Sequence, residues 1–131
     1  MKVKGTILGV LPSMKNSRSL GKVRRKKSTL RFGQSPYRPI IMKSAAARQF
    51  AENALRQIDF RQRIGLVVDV ALTVYVYYPN RRHDVDAELL CDVLQKAGVI
   101  KNDRQIRVKH FDGTILDKNN PRVEWEIETL E

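Results

Sequence analysis

Strict alternation over residues 68–76 constrains this chain more than anything else in it. Val68, Val70, Leu72, Val74 and Val76 fall on one side of an extended segment, and Asp69, Ala71, Thr73, Tyr75 and Tyr77 on the other. A period of two over that length predicts a long strand with one buried face. Pro79-Asn80 ends it. The period then changes: Leu89, Leu90, Val93, Leu94 and Ala97 recur at helical spacing, and Gly98 supplies a stop signal. A strand feeding directly into an amphipathic helix forms the centre of the predicted fold.

The rest of the chain builds around that unit. Residues 1–11 predict a first strand with Val3, Gly5 and Ile7 on one face, ended by Pro12-Ser13. Residues 13–38 read as one basic loop, and a loop that long is usually functional or disordered. Residues 39–42 predict a short strand. Ser44 is placed to cap a helix whose buried face is Ala47, Phe50, Ala51, Ala54, Leu55 and Ile58. Ile106, Val108 and His110 predict a further strand, with a polar connection starting at Asp112-Gly113. Val123, Trp125, Ile127 and Thr129 predict the last strand. The expected architecture is a single α+β domain over residues 1–131, with a mixed, largely antiparallel sheet covered by two helices.

Charge sets the expected partner. The chain carries a formal net charge of +11, and thirteen of its twenty-five Lys and Arg residues precede the first acid, Glu52. The densest run is Lys22-Val23-Arg24-Arg25-Lys26-Lys27. A cationic block on a near-neutral body points to a phosphate backbone. The residues expected to contact DNA are Lys15, Arg24, Arg25, Lys26, Lys27, Arg31, Arg81 and Arg82. Phe32 and Tyr37 offer rings that either stack on bases or cover the edge of the core. No apolar run is long enough to span a membrane and no signal-peptide core is present, so a cytoplasmic protein with no membrane partner is expected. The single cysteine, Cys91, leaves no intramolecular disulfide and reads as a packing residue. No glycine-rich phosphate loop is present, so no nucleotide cofactor is expected.

The chemistry-bearing residues gather between the long strand and the end of the second helix. Asp84 and Asp86 are two apart, a spacing that turns both carboxylates to one side of an extended segment. Paired carboxylates repel unless a cation sits between them. Mg²⁺ is suited to one or two carboxylates completed by waters and phosphate oxygens. Asp103 follows the helix and requires tertiary structure to return to the pair. The same residues admit a structural reading, with Asp86 as N-cap and Asp84 paired to Arg81 or Arg82. His83 reads either as a general base or phosphate contact or as a solvent-exposed residue, and His110 as structural. Asp92, about 240° around the helix from Asp86, is expected to meet a basic group or solvent rather than join the pair.

The text Arg82-His83-Asp84-Val85-Asp86, followed by Asp92-Val93-Leu94-Gln95-Lys96-Ala97-Gly98-Val99-Ile100-Lys101-Asn102-Asp103-Arg104-Gln105-Ile106, resembles the RusA-type Holliday junction resolvases of phages and prophages. Pro12-Ser13-Met14-Lys15-Asn16 and the helix after Ser44 fit the same order. The resemblance implies a homodimeric, Mg²⁺-dependent endonuclease that cuts four-way DNA junctions symmetrically, with Asp84, Asp86 and Asp103 as catalytic metal-binding acids. Two departures stand out. The family's Asn after the second Asp is Ala87 here, and its catalytic Lys four residues after that Asp is Leu90, with Lys96, Lys101 or Arg82 as candidate replacements. A weakly active or inactive nucleic-acid-binding protein on the same fold is the alternative.

Overall fold

Val70, Leu72, Val74, Val76 and Tyr78 are all buried along one edge-to-edge face of a strand, as the alternation requires. A computed structural model of the chain describes residues 1–14, 17–81 and 85–130. Its strands are β1 (Lys2–Leu8), β2 (Arg18–Arg24), β3 (Tyr37–Lys43), β4 (Val70–Tyr78), β5 (Ile106–Leu116) and β6 (Arg122–Thr129). Its helices are α1 (Ala45–Gln57) and α2 (Ala87–Ala97). Four strands form one sheet in the order β1-β6-β4-β5, with β4 and β5 parallel and the other pairs antiparallel. The parallel pair needs a crossover, and α2 supplies it. The fold is therefore the expected α+β domain, with a mixed sheet and two helices.

One face of the sheet is dry. Val74 lies opposite Trp125 and Leu72 opposite Ile127, and all four are buried with the inner residues of α1 and α2. Trp125 thus belongs to the core. The other face is open: Tyr75 and Val108 are exposed, and His110 meets Tyr75 edge-on at 6.2 Å between ring centroids. Tyr77 donates to Glu124 and lies under the Arg122 guanidinium, 3.7 Å from the ring centroid. Among the described residues, no helix is long and apolar enough to cross a membrane.

Five elements differ from expectation. The basic segment 13–38 is not one loop. It contains β2 and a 3-10 turn at Lys27–Thr29, and β2 pairs antiparallel with β3 as a separate two-stranded ribbon. β3 is also longer than the expected 39–42. β1 ends at Leu8 rather than residue 11, and β4 begins at Val70 because Val68 is already exposed. β5 runs straight through Asp112-Gly113 to Leu116. It does so by a bulge: Tyr75 faces Asp112 and Tyr77 faces Ile115, which places one extra residue on β5. The Asp112 carboxylate accepts from the Thr114 N–H at 2.9 Å and its hydroxyl at 2.7 Å, a local turn held within the strand.

Candidate functional site

The site is built by the start of α2. Asp86 is its N-cap: Oδ1 accepts the Leu89 N–H at 3.1 Å, and the residue is only 1% exposed. Its other oxygen, Oδ2, lies 3.5 Å from Arg18 Nη1, and the second nitrogen of that guanidinium lies 3.6 Å from Glu88. Asp86 is thus both cap and ion-pair partner. The segment entering it is pinned from two sides. Val85 makes an antiparallel bridge with Ser13, next to Ser17, whose buried hydroxyl donates to the Ser13 carbonyl at 2.6 Å. Val85 also packs where Gly113 lacks a side chain: a Cβ on Gly113 would collide with Val85 Cγ2. The β5 bulge therefore leaves room for the segment that carries the acid.

The Ala97-Gly98-Val99-Ile100 run ends α2 and turns the chain back beside it. Gly98 takes φ +82°, the left-handed conformation that ends α2. Val99 and Ile100 are fully buried, and Ile100 bridges Leu66 in parallel. A 3-10 turn at Asp103–Gln105 follows, capped by Asn102, whose side chain accepts from the Arg104 N–H at 2.9 Å. Gln105 locks the turn by donating to the carbonyls of Leu66 and Val68. The Asp103 N–H donates to Gln95 Oε1 at 3.0 Å, which ties the turn back onto α2.

These elements surround a cleft of about 430 Å³. Asp103, Asp92 and Glu88 line it with Cys91 and three cations, Arg18, Lys43 and Lys109. Arg18 and Lys43 are cross-strand partners at the base of the β2–β3 ribbon, and Lys109 comes from the edge strand β5. Lys43 Nζ lies 2.6 Å from Asp92 Oδ2, and Lys96 lies 3.5 Å from the same oxygen. Burial works to raise the Asp92 carboxyl. The hydrogen bond and charge of Lys43, joined by Lys96, outweigh it and hold the group below its usual range. Burial pushes the Cys91 thiol up, with Lys109 opposing and Asp103 and Glu88 reinforcing, so it stays protonated at neutral pH and packs rather than attacks.

Asp103 and Asp92 thus share one cleft, with Asp86 joined to its rim through Arg18. Asp92 meets a basic group as expected, but it also lines the same cleft as Asp103. Leu90 is fully buried in the core, so a cation at that position would not reach the cleft from this helix face. Lys43 and Lys109 line the cleft instead. Neither was singled out from sequence: Lys43 reads there as one more charge in a basic run, and Lys109 as the polar partner in an alternating strand. Of the expected DNA contacts, Arg24, Lys26, Lys27, Arg31 and Arg81 are exposed, and Arg25 is half-buried with its Nε donating to the Ser35 carbonyl at 3.1 Å. Phe32, in the connection between β2 and β3, and Tyr37, at the start of β3, are both exposed, so neither covers the core. Asp84, His83, Arg82 and Lys15 lie outside the described residues.

No protein-family model matches this chain, and no curated protein matches it. Asp86 and Asp103 present hard oxygen donors, the type that Mg²⁺ takes one or two of. The 3.5 Å approach of Arg18 to Asp86 is long for a charge-assisted hydrogen bond and leaves that oxygen weakly held. Among the described residues, no three His, Cys, Asp or Glu side chains converge as a metal cluster. Carboxylate oxygens of this kind suit Mg²⁺, although of the two only Asp103 lines the cleft. They do not fit zinc, which prefers nitrogen and sulfur ligands.

Proposed function

We propose that this protein is a Mg²⁺-dependent, structure-selective DNA endonuclease of the RusA type, resolving four-way junctions by paired symmetric nicks. One observation carries the reading: the turn holding Asp103 is tied by Gln95 to α2 and opens on the cleft shared by Asp92, Glu88 and three cations. Carboxylates and cations around one small cleft are what phosphodiester cleavage requires. The acids hold a cation and order a water, and the basic groups offset charge that grows on the phosphate.

In this reading Asp86 and Asp103, with Asp84, would hold Mg²⁺, and the ion would supply Lewis-acid polarisation of a phosphate oxygen and of a water. Lys109 and Lys43 face the phosphate oxygens in place of the family Lys. Arg18 connects the cleft to the ribbon, which follows the backbone outward. A junction of two-fold symmetry is best cut by two equivalent sites, so the active species is a homodimer. Sedimentation of the free protein and of its junction complex tests that stoichiometry.

A second reading is favoured by a specific observation. Lys43 already pairs closely with Asp92, and Leu90 stands where the family has its Lys. A protein that binds junctions without cutting them would look the same. Asp103→Asn separates the two. Under the first reading it abolishes Mg²⁺-dependent cleavage and leaves junction binding equal or tighter, because a negative charge has gone. Unchanged cutting by that variant would remove Asp103 from the mechanism.

A further inference from the structure

The ribbon face that leads out of the cleft carries an apolar pair among its cations. Side chains alternate across a strand, so Arg18, Lys22 and Arg24 share one face with Lys43 and Tyr37 on the facing strand. In the middle of that face Leu20 and Ile41 are direct cross-strand partners. They are 81% and 75% exposed, whereas Val23, Ile40 and Met42 on the other face are half-buried. Two large aliphatic side chains facing water side by side mark a surface made for contact. Each stands two residues from a cation of the cleft, about 7 Å along the strand.

The surroundings of the pair select its partner. Neither β2 nor β3 contains an acidic residue. A second copy docked on this face about a two-fold axis would set the same cations against themselves. A polyanion suits the cations, and the pair needs something flat and apolar between the phosphates. Unstacked bases supply both. Aliphatic wedges inserted at base steps are a recurring device, and unstacking is cheapest where pairing is already interrupted.

We propose that Leu20 and Ile41 form a wedge that packs against unstacked bases at the branch point of DNA, while Lys22 and Arg24 hold the flanking phosphates. This rests on the reading of the protein as a binder of branched DNA, but not on its cutting. The wedge gives the ribbon a means of preferring a branch to a continuous duplex, because only the branch offers bases at low unstacking cost.

The test uses a four-way junction carrying 2-aminopurine at the branch, titrated with the full-length protein in chelator so that no strand is cut. A matched duplex carries the same label. The wild type is expected to raise the fluorescence of the junction label. The double variant Leu20→Ser/Ile41→Thr is expected to lose that rise and about tenfold of its junction-over-duplex preference, with duplex affinity changed by less than about twofold. Both positions are exposed, and an unchanged melting curve shows that the fold is intact.

A wild type that binds the junction without a fluorescence change overturns the wedge, even if Mg²⁺ then supports cleavage. So does a double variant that keeps both rise and preference. A dimer that becomes a monomer in the double variant reassigns the pair to self-association. Loss of binding to phosphatidylglycerol vesicles with junction binding intact reassigns it to a membrane. A wild type that binds no DNA removes the DNA reading and the wedge with it. A fluorescence rise without cleavage in Mg²⁺ leaves the wedge standing and removes only the nuclease.

Discussion

Asp86 shows how much one residue can carry. It caps α2 with one oxygen and meets Arg18 with the other while almost fully buried. The two roles separate by substitution. Asp86→Asn keeps a cap acceptor, so thermal stability should fall little while Mg²⁺-dependent cleavage is lost. Asp86→Ala should cost about 1 kcal/mol for the cap alone, and more because Arg18 loses its partner. Thermal melts of both variants beside a cleavage assay check this. Asp92 carries a pH signature. Its carboxyl is held down in the folded state, so its contribution is present above the unfolded pKa and fades as pH falls through the lower folded value. The side chain is 40% exposed, so solvent screening limits the pair to about 0.5 kcal/mol. Asp92→Asn should therefore differ slightly from the wild type in urea melts at pH 7 and converge with it well below pH 4. The cap at Asp86 and a cation beside Asp92 were within reach of the sequence, but the partners Arg18 and Lys43 were not. Lys43 and Asp92 are 49 residues apart, and local spacing says nothing about such a contact. Asp86 could be read as cap or ligand, and it is a cap whatever else it does.

At the scale of elements, periodicity served where burial drives structure. β4, β6 and both helices bury one face against the core, and their apolar spacing announces it. The ribbon was missed for the same reason. β2 is Arg-Ser-Leu-Gly-Lys-Val-Arg, with no apolar stripe, and it is a strand only because β3 pairs with it along seven residues. Asp112-Gly113 looked like a turn because its local chemistry is that of a turn, and the strand absorbs it as a bulge. Gly113 has a consequence of its own. Gly113→Val should force Val85 aside, destabilise the protein by about 1–3 kcal/mol through overpacking, and weaken cleavage by displacing Asp86. Urea unfolding and initial cleavage rates measure the two effects. A stable, fully active Gly113→Val protein would show that the Val85 contact does not position the acid.

Over the whole molecule, charge and topology divide the labour. The four-stranded sheet and its helices make the body, and β2 and β3 form a cationic ribbon whose base is pinned to that body by Ser17, Arg18 and Lys43. Binding to DNA should be steeply salt-dependent, and replacing Lys22 by Gln should reduce the slope of log K against log salt by about 1 if Lys22 holds one phosphate. Affinity at two salt concentrations on a junction and on a duplex checks that. The α+β class, the central strand, the last strand and both helices were readable from the chain alone. The return of Asp103 to α2, and the arrival of Lys43 and Lys109 at the same cleft, were not, because each depends on a turn or a pairing that only the folded chain specifies. The most direct measurement is cleavage of a synthetic four-way junction beside a matched linear duplex, each with Mg²⁺ and with chelator. Paired, symmetric nicks on the junction alone, present with Mg²⁺ and absent with chelator, are the expected result. Tight junction binding with no nicks under any divalent ion would contradict it and leave a DNA-binding protein that keeps the cleft without the chemistry.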